Sequence, residues 1–357
     1  MADRGGSAWA GDDPPAAAAG YHRDVQPSLP DLPRFALLDG PSPLAPLRRL
    51  SATLGGRAEL WIKREDLLPL AFGGNKLRNL EFLVGAALAE GADTLVTVGR
   101  SWSNHCRLTA AAGARARLAV HLVLSGPPTE PPNPGRRLDE LLGATVHQTA
   151  TADRAERDAR VEQVVEELRA AGHRPYLIGV GGSGALGAVG QVRAAWELLD
   201  QAAERGLGID ALVVPSATGG TQAGLLAGLR TAGSSTTVLG VAVARPPDEL
   251  HAAMALILQS LQAYTGAPVN PAELEIAADQ LGSGYGVPTP EAEEAGRLLA
   301  RTEGILVDPI YTAKALAALV ARVQAGRFDG RTVVFWHAGG LPGLFEPLAA
   351  DATAGSA

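Results

Sequence analysis

The chain has 357 residues, 46% of them hydrophobic and 19% charged, a balance that supports a folded core and excludes a disordered chain. Its formal net charge of −7 argues against a sequence-independent nucleic-acid binder, which needs a basic footprint. A single cysteine excludes an internal disulfide and a Cys-rich zinc site, and no apolar run approaches the roughly 18 residues of a membrane span.

Residues 1–30, rich in Ala, Gly, Pro and Asp, show neither periodicity nor the apolar centre of a signal peptide, and read as the mobile tail of a cytoplasmic protein. Beyond them, helical and extended patterns alternate. A helix is expected over 76–90, a strand over 93–99, a helix over 104–116 and strands over 118–124 and 144–149. A helix over 154–171, a strand over 175–180, a helix over 188–204 and a strand over 211–216 follow. The series closes with a helix over 221–231, a strand over 237–243, helices over 247–263, 290–303 and 312–325, and a strand over 332–337. Short apolar strands separated by helices imply βαβ units, hence an α/β fold with parallel sheets covered on both faces. The strands can form one wide sheet or two smaller ones. The Pro-rich stretch 126–137 reads as a surface loop.

Of 31 basic residues only Lys63, Lys76 and Lys314 are lysine. They are candidates for positions where Arg will not serve, because only Lys readily loses its proton and forms a Schiff base. Lys76 follows Gly73-Gly74-Asn75 and opens a helix whose Leu77, Leu80, Phe82 and Leu83 face a core. Burial near a positive helix end would lower its pKa; the alternative is a solvated cation at a helix start.

In "VGRSWSNHCR" (98–107), His105 and Cys106 would point about 100° apart on a helix, which places them poorly for pairing. Cys106 reads as a small buried apolar residue, with both residues on a helix behind any site. Ser103 and Asn104, at the strand-to-helix corner, can cap the helix or meet a ligand. "GVGGSGALGAVG" (179–190) resembles a dinucleotide fingerprint, but no acid follows the next strand, which favours a tight turn. In "VVPSATGGTQAGLLAGL" (213–229), a strand runs through Ser216–Thr221 into an apolar helix. That loop suits a small phosphate monoester, and it equally fits an ordinary Gly-rich turn. Tyr285, Tyr311 and His337 occupy loop or strand-end positions where α/β proteins build sites.

Together "KRED", "GGNKLRNLEFL", "SNHCRLTAAAGA", "VGGSGALGAVG", "TGGTQAGL", "GYGVP" and "TEGILVDPIYTAKALAAL" run in an order that resembles one family. It is the 1-aminocyclopropane-1-carboxylate deaminase / D-cysteine desulfhydrase family of fold type II pyridoxal 5'-phosphate (PLP) enzymes, and the likeness spans about 32–345. The resemblance implies two open, mostly parallel twisted sheets flanked by helices. It implies a small domain over 79–180, inserted into a large one built from 31–78 and 181–357, and a homodimer.

Carried over by residue, it implies that Lys76 holds the cofactor as a Schiff base and removes the substrate's Cα proton. Asn104 would bond the cofactor's phenolic oxygen, and Thr218, Gly219, Gly220 and Thr221 would cradle its phosphate. Ser103 would lie by the substrate carboxylate, with Tyr285 and Tyr311 lining the substrate side. Thr312 would face the pyridine nitrogen, where the cyclopropane-deaminase branch is expected to carry Glu. Two positions depart from the pattern: Trp102 stands where Gln is usual, on the substrate side, and Ala338 stands where the desulfhydrase branch has Thr. The implied activity is β-elimination from a small, D-cysteine-like amino acid, giving keto acid and ammonia. Alternatives are cyclopropane ring-opening deamination, a specialised lyase on an unusual β-substituted amino acid, and a PLP-binding protein without lyase activity. No metal, nucleic-acid or membrane partner is implied.

Overall fold

The computed structural model describes residues 28–346 apart from Glu130, so the mobile-tail reading of 1–30 lies outside the described residues except for its last three, of which Leu29 packs against the core. In chain order the elements are β1 (Leu44–Pro46), α1 (Arg48–Thr53), β2 (Glu59–Arg64), α2 (Lys76–Ala89), β3 (Thr94–Gly99) and α3 (Asn104–Ala116). Next come β4 (Ala119–Leu124), α4 (Pro134–Leu141), β5 (Thr145–Gln148), α5 (Arg154–Ala170), β6 (Pro175–Leu177) and α6 (Ala185–Ala203). The chain then forms β7 (Ala211–Ser216), α7 (Gly220–Thr231), β8 (Thr237–Ala242) and α8 (Pro247–Thr265). It ends with β9 (Glu275–Ala277), α9 (Pro290–Glu303), α10 (Thr312–Gln324) and β10 (Thr332–His337).

The strands form two sheets, of six strands in the order β1-β2-β10-β7-β8-β9 and of four in the order β5-β4-β3-β6. Every pairing is parallel except that of β1 with β2. Alternate side chains of the larger sheet enter different cores, as the two-residue period of a strand requires. Leu212, Val214, Val334 and Trp336 meet α6, α7 and α8. Val213, Val333 and Phe335 meet α1, α9 and α10. In the smaller sheet Leu95 and Leu122 pack towards α2 and α3, whereas Val96, Val98 and Val123 pack on α5.

All seven strands and eight helices expected from sequence are present, and five further elements join them. β1 and β9 have only three residues each. β2 reads "ELWIKR", with a charged residue where an apolar one would announce a strand; Lys63 is nevertheless fully buried. The loop expected over 126–137 is corrected at its end. Asn133 accepts a hydrogen bond from the Arg136 N–H at 3.1 Å and Pro134 takes the first helical position, so α4 begins inside the Pro-rich stretch. The strand expected over 175–180 stops at Leu177, and Val180–Gly182 forms a 3-10 turn with φ +69° at Gly181 and +59° at Gly182.

Helices α2 and α6 tie the sheets together. A Cβ on Gly190 of α6 would stand 2.1 Å from the Arg78 carbonyl oxygen of α2, so only glycine permits this approach. A buried ionic network runs beneath it. The Arg78 guanidinium reaches Glu65 at 2.6 Å and Glu197 at 2.8 Å, and Lys63 Nζ reaches Glu197 at 2.5 Å. Lys63 also donates to the Ser42 carbonyl and to Gln201, both at 2.7 Å.

Candidate active site

The carboxyl ends of β3, β4, β7, β8 and β10 converge on a cavity of about 310 Å³, the place where open α/β sheets bind ligands. Lys76 lines it at the start of α2. Its neighbour Asn75 fixes it: the Asn75 N–H donates to the Ala338 carbonyl at 3.0 Å, and Asn75 Nδ2 donates to Thr221 Oγ1 at 2.8 Å. Gln191 Nε2 from α6 donates to the Asn75 carbonyl at 2.9 Å. The Lys76 amine has no hydrogen bond or ion pair among the described residues. Burial lowers its pKa from 10.5 to about 8, because a charged ammonium is costly where water is excluded.

Opposite stands the loop between β7 and α7. Gly219 adopts φ +87°, a left-handed conformation that glycine takes without strain. A Cβ there would meet Met254 Cγ at 2.4 Å, and one on Gly220 would meet Ser183 Oγ at 2.8 Å. The first N–H groups of α7 have no intrahelical acceptor and lie beside the Thr218 and Thr221 hydroxyls. Thr218, Gly219 and Thr221 line the cavity. Thr218 Oγ1 is hydrogen-bonded to Ser183 Oγ, so the glycine-rich turn at 180–184 forms a wall behind this loop. Backbone donors, hydroxyls and a helix N-terminus are the donor set a phosphate monoester needs. With a desolvated amine across the same cavity, the residues present fit PLP.

Ser103 caps α3, accepting from the Cys106 N–H at 3.2 Å, and also lines the cavity; capping and ligand-facing positions coincide. Asn104 lines it too, with its Oδ1 accepting from Arg107 at 2.9 Å. Tyr285 and Tyr311 join phenol to phenol by a hydrogen bond and line the same cavity. Burial raises both phenol pKa values, so both are neutral near pH 7.

Trp102, Gly220 and Thr312 are not among the lining residues. Trp102 packs behind Tyr285, ring centroids 6.1 Å apart, and under the Arg100 guanidinium at 5.3 Å. A Cβ on Gly286 would stand 2.9 Å from its indole, so Gly286 is what admits the ring. Thr312 is fully buried, and its hydroxyl bonds the Asp308 carboxylate, which also caps the start of α10 through the Ile310, Tyr311 and Thr312 N–H groups.

Cys106 is buried beneath Gly99, where a Cβ would lie 2.5 Å from its sulfur, and burial raises its thiol pKa. His105 points elsewhere, with Nε2 2.9 Å from Thr97 Oγ1. It is not wholly behind the site as expected, because His105 is among the residues lining the cavity. Burial, with Lys76 nearby, lowers its pKa to about 3, so it is neutral. His337 is fully buried, 2.8 Å from the Leu306 carbonyl, and belongs to the scaffold.

Sequence reasoning did not single out Asn75, Ser183, Gln191 or Arg107. Arg107, which bonds the Ala71 carbonyl and Asn104, holds the loop before Lys76 against α3. Their roles depend on contacts between distant segments, 146 residues apart for Asn75, 116 for Gln191 and 35 for Ser183, or, for Arg107, on a backbone carbonyl that no residue type announces. Four arginines of the lining, Arg100, Arg154, Arg157 and Arg245, also went unnoticed.

Fold and site together define an α/β enzyme that holds a phosphorylated cofactor and a reactive lysine between two sheets. The model of the family described as "Pyridoxal-phosphate dependent enzyme" matches residues 35–339. The chain belongs to that family, and it is a PLP-dependent lyase of fold type II. D-cysteine desulfhydrases of Salmonella choleraesuis (strain SC-B67) and Salmonella typhi are each 40% identical to it over 323 residues, covering 89% of this chain and 97% of theirs. A solved ACC deaminase homologue is similar with a TM-score of 0.82 and 34% identity, covering 88% of this chain and 94% of its own. A solved threonine deaminase from T.th. shares the fold alone, at TM-score 0.60 and 24% identity over 84% of this chain and 92% of its own. Among the described residues no helix is long and apolar enough to cross a membrane.

Proposed function

We propose that the enzyme eliminates a β-substituent from a small, D-cysteine-like amino acid, giving keto acid, ammonia and the leaving group. The observation that carries this is the desolvated Lys76 amine facing a phosphate-type loop and a pair of neutral tyrosines across one cavity. The identity to D-cysteine desulfhydrases over nearly the whole chain supports the choice of substrate.

When bound, PLP supplies the electron sink that makes the substrate's Cα–H acidic. Lys76 would hold the cofactor covalently, Asn104 would bond its phenolic oxygen, and Thr218 to Thr221 would hold its phosphate. Released as a free amine, Lys76 Nζ takes the Cα proton. The electron pair of that C–H bond then expels the β-substituent, which departs with its own bonding pair. Only one of the two phenolic hydrogens can be spent in the Tyr285–Tyr311 bond, which leaves the other O–H to donate to the substrate or the leaving group. Ser103, held by its capping bond, presents a fixed hydroxyl to the carboxylate side.

Cyclopropane ring opening is the second reading. Thr312 disfavours it: its hydroxyl is already committed to Asp308, and it cannot hold a protonated pyridine as a carboxylate does. We propose further that the enzyme is a cytoplasmic homodimer, divided into domains at 31–78 plus 181–357 and 79–180.

Purified enzyme supplied with D-cysteine, β-chloro-D-alanine and 1-aminocyclopropane-1-carboxylate decides among these by the keto acid released. The two β-substituted substrates should be turned over and the cyclopropane should not. Lys76→Ala should lower kcat by about 10²–10⁴-fold and abolish the borohydride-fixed cofactor. Cofactor still fixed to that variant would remove Lys76 from its role.

A further inference from the structure

The Arg107 guanidinium bonds two parts of the site without lining the cavity itself. It is 2% exposed and has no ion pair among the described residues. Burial lowers its pKa to about 10 against the opposing fields of Asp139 and Asp308, so it stays charged near pH 7. Enclosing a guanidinium among neutral acceptors is costly. Three such acceptors hold this one: the Ala71 carbonyl, the Gly73 carbonyl at 3.4 Å and Asn104 Oδ1 at 2.9 Å.

Asn104 lies three residues before Arg107 on the same face of α3. Arginine has only donors, so the amide atom that faces it is the oxygen, and the NH2 is turned the other way. A Cβ on Gly340 would stand 3.1 Å from Asn104 Nδ2. The nitrogen therefore faces the turn after β10, beside Gly339 of the cavity lining, and has no hydrogen bond among the described residues. An amide free to rotate would present its oxygen there as readily, and that oxygen would repel an ionised phenolic oxygen.

The loop is held by the same side chain. Residues 70–74 all have positive φ: +70° at Leu70, +44° at Ala71 and +66° at Phe72, before two glycines. A left-handed conformation is costly for a residue with a Cβ, and among the described residues Arg117 is the only other non-glycine to adopt one. No side chain but Arg107 bonds the backbone of this stretch among the described residues, and Lys76 follows it by two residues.

We propose that Arg107 is a positioning residue for the reaction, turning the Asn104 NH2 towards the cofactor's phenolic oxygen while it holds the left-handed loop that presents Lys76. The assignment rests on the reading of Asn104 as the partner of that oxygen. One guanidinium then sets both the donor to the phenolic oxygen and the amine that takes the neighbouring aldehyde carbon. Lysine is no substitute, because its compact ammonium lacks the planar fork that reaches helix and loop together.

The test is spectroscopic. A bond from the NH2 favours the ionised phenolic oxygen, so holoenzyme at fixed pH should favour the longer-wavelength absorbance band of bound PLP over the shorter-wavelength band of its protonated form. Asn104→Ala and Arg107→Lys should each lower that ratio by about tenfold. The double variant should fall no further than Asn104→Ala alone, because Arg107 acts on the ratio through Asn104. Capture of PLP by apoenzyme should slow by about tenfold in Arg107→Lys. Ala71→Gly, which takes a positive φ without a Cβ penalty, should recover much of that rate in the Arg107→Lys background and leave the ratio low. If Arg107→Lys does not fold, Arg107→Gln replaces it, since one amide can donate to Asn104 or to the loop but not to both. A ratio that falls in Asn104→Ala and not in the Arg107 variant overturns this proposal alone. A ratio unmoved in both takes Asn104 away from the phenolic oxygen, and the proposal falls with that reading. Additive losses in the double variant, or a capture rate that Ala71→Gly does not recover, also overturn it.

Discussion

Lys76 was visible in the sequence through rarity, and the structure shows what the rarity of lysine means in this chain. Lys63 and Lys314 are fully buried, one in an ionic network and the other donating to the Leu281 carbonyl at 3.0 Å. The scarce lysines therefore mark places where a compact ammonium is enclosed, and only Lys76 combines enclosure with an open cavity and no charge partner. Its pKa of about 8 makes it protonated below that pH and a free amine above it. Capture of PLP by apoenzyme, followed by absorbance or by borohydride fixation, should accelerate as pH rises to about 8 and level off there. An ordinary lysine would keep gaining to about 10.4. Trp102 could be seen to break the family pattern, but its position behind Tyr285 could not, because that depends on Gly286 in a loop almost two hundred residues away.

At the scale of elements, legibility followed how a segment is buried. Strands such as β7, apolar at nearly every residue and buried on both faces, were plain, whereas β2 was hidden by its charged residues, of which Lys63 is buried in an ion pair. The tight-turn reading of the 179–190 stretch matches the positive φ of Gly181 and Gly182. Its contact with Thr218 across 35 residues has no local signature. Helices α6 and α7 meet through glycines: a Cβ on Gly224 would lie 2.5 Å from the Ala188 carbonyl, and one on Gly228 would lie 2.5 Å from that of Val192. Because neither neighbour is a flexible side-chain end, Gly224→Ala should force the helices apart and cost about 1–3 kcal/mol. Urea unfolding is the measurement, and a loss of PLP affinity should accompany it, since α7 begins at the phosphate-type loop.

At the scale of the molecule, alternation of strands and helices gave the α/β class, while the partition into two sheets came only with the resemblance. Strand order is a matter of distant pairing: β2 lies beside β10, some 270 residues later. The cleft between the sheets leaves the cavity lined from both sides, so cofactor binding links them. PLP at about 100 times its Kd should stabilise the fold by about 2.7 kcal/mol, seen as a higher Tm for holoenzyme than for apoenzyme in calorimetry. Equal Tm values would mean that the cofactor does not bind the folded chain in preference to the unfolded one.

The enclosure of Lys63 and Lys314 gives the protein a practical property. Among the three lysines an amine-selective reagent can reach one, Lys76, and only while that amine is unmodified. Mild acetylation followed by intact-mass counting should therefore add one more lysine acetyl group to apoenzyme than to holoenzyme, turning cofactor occupancy into a difference of a single mass increment.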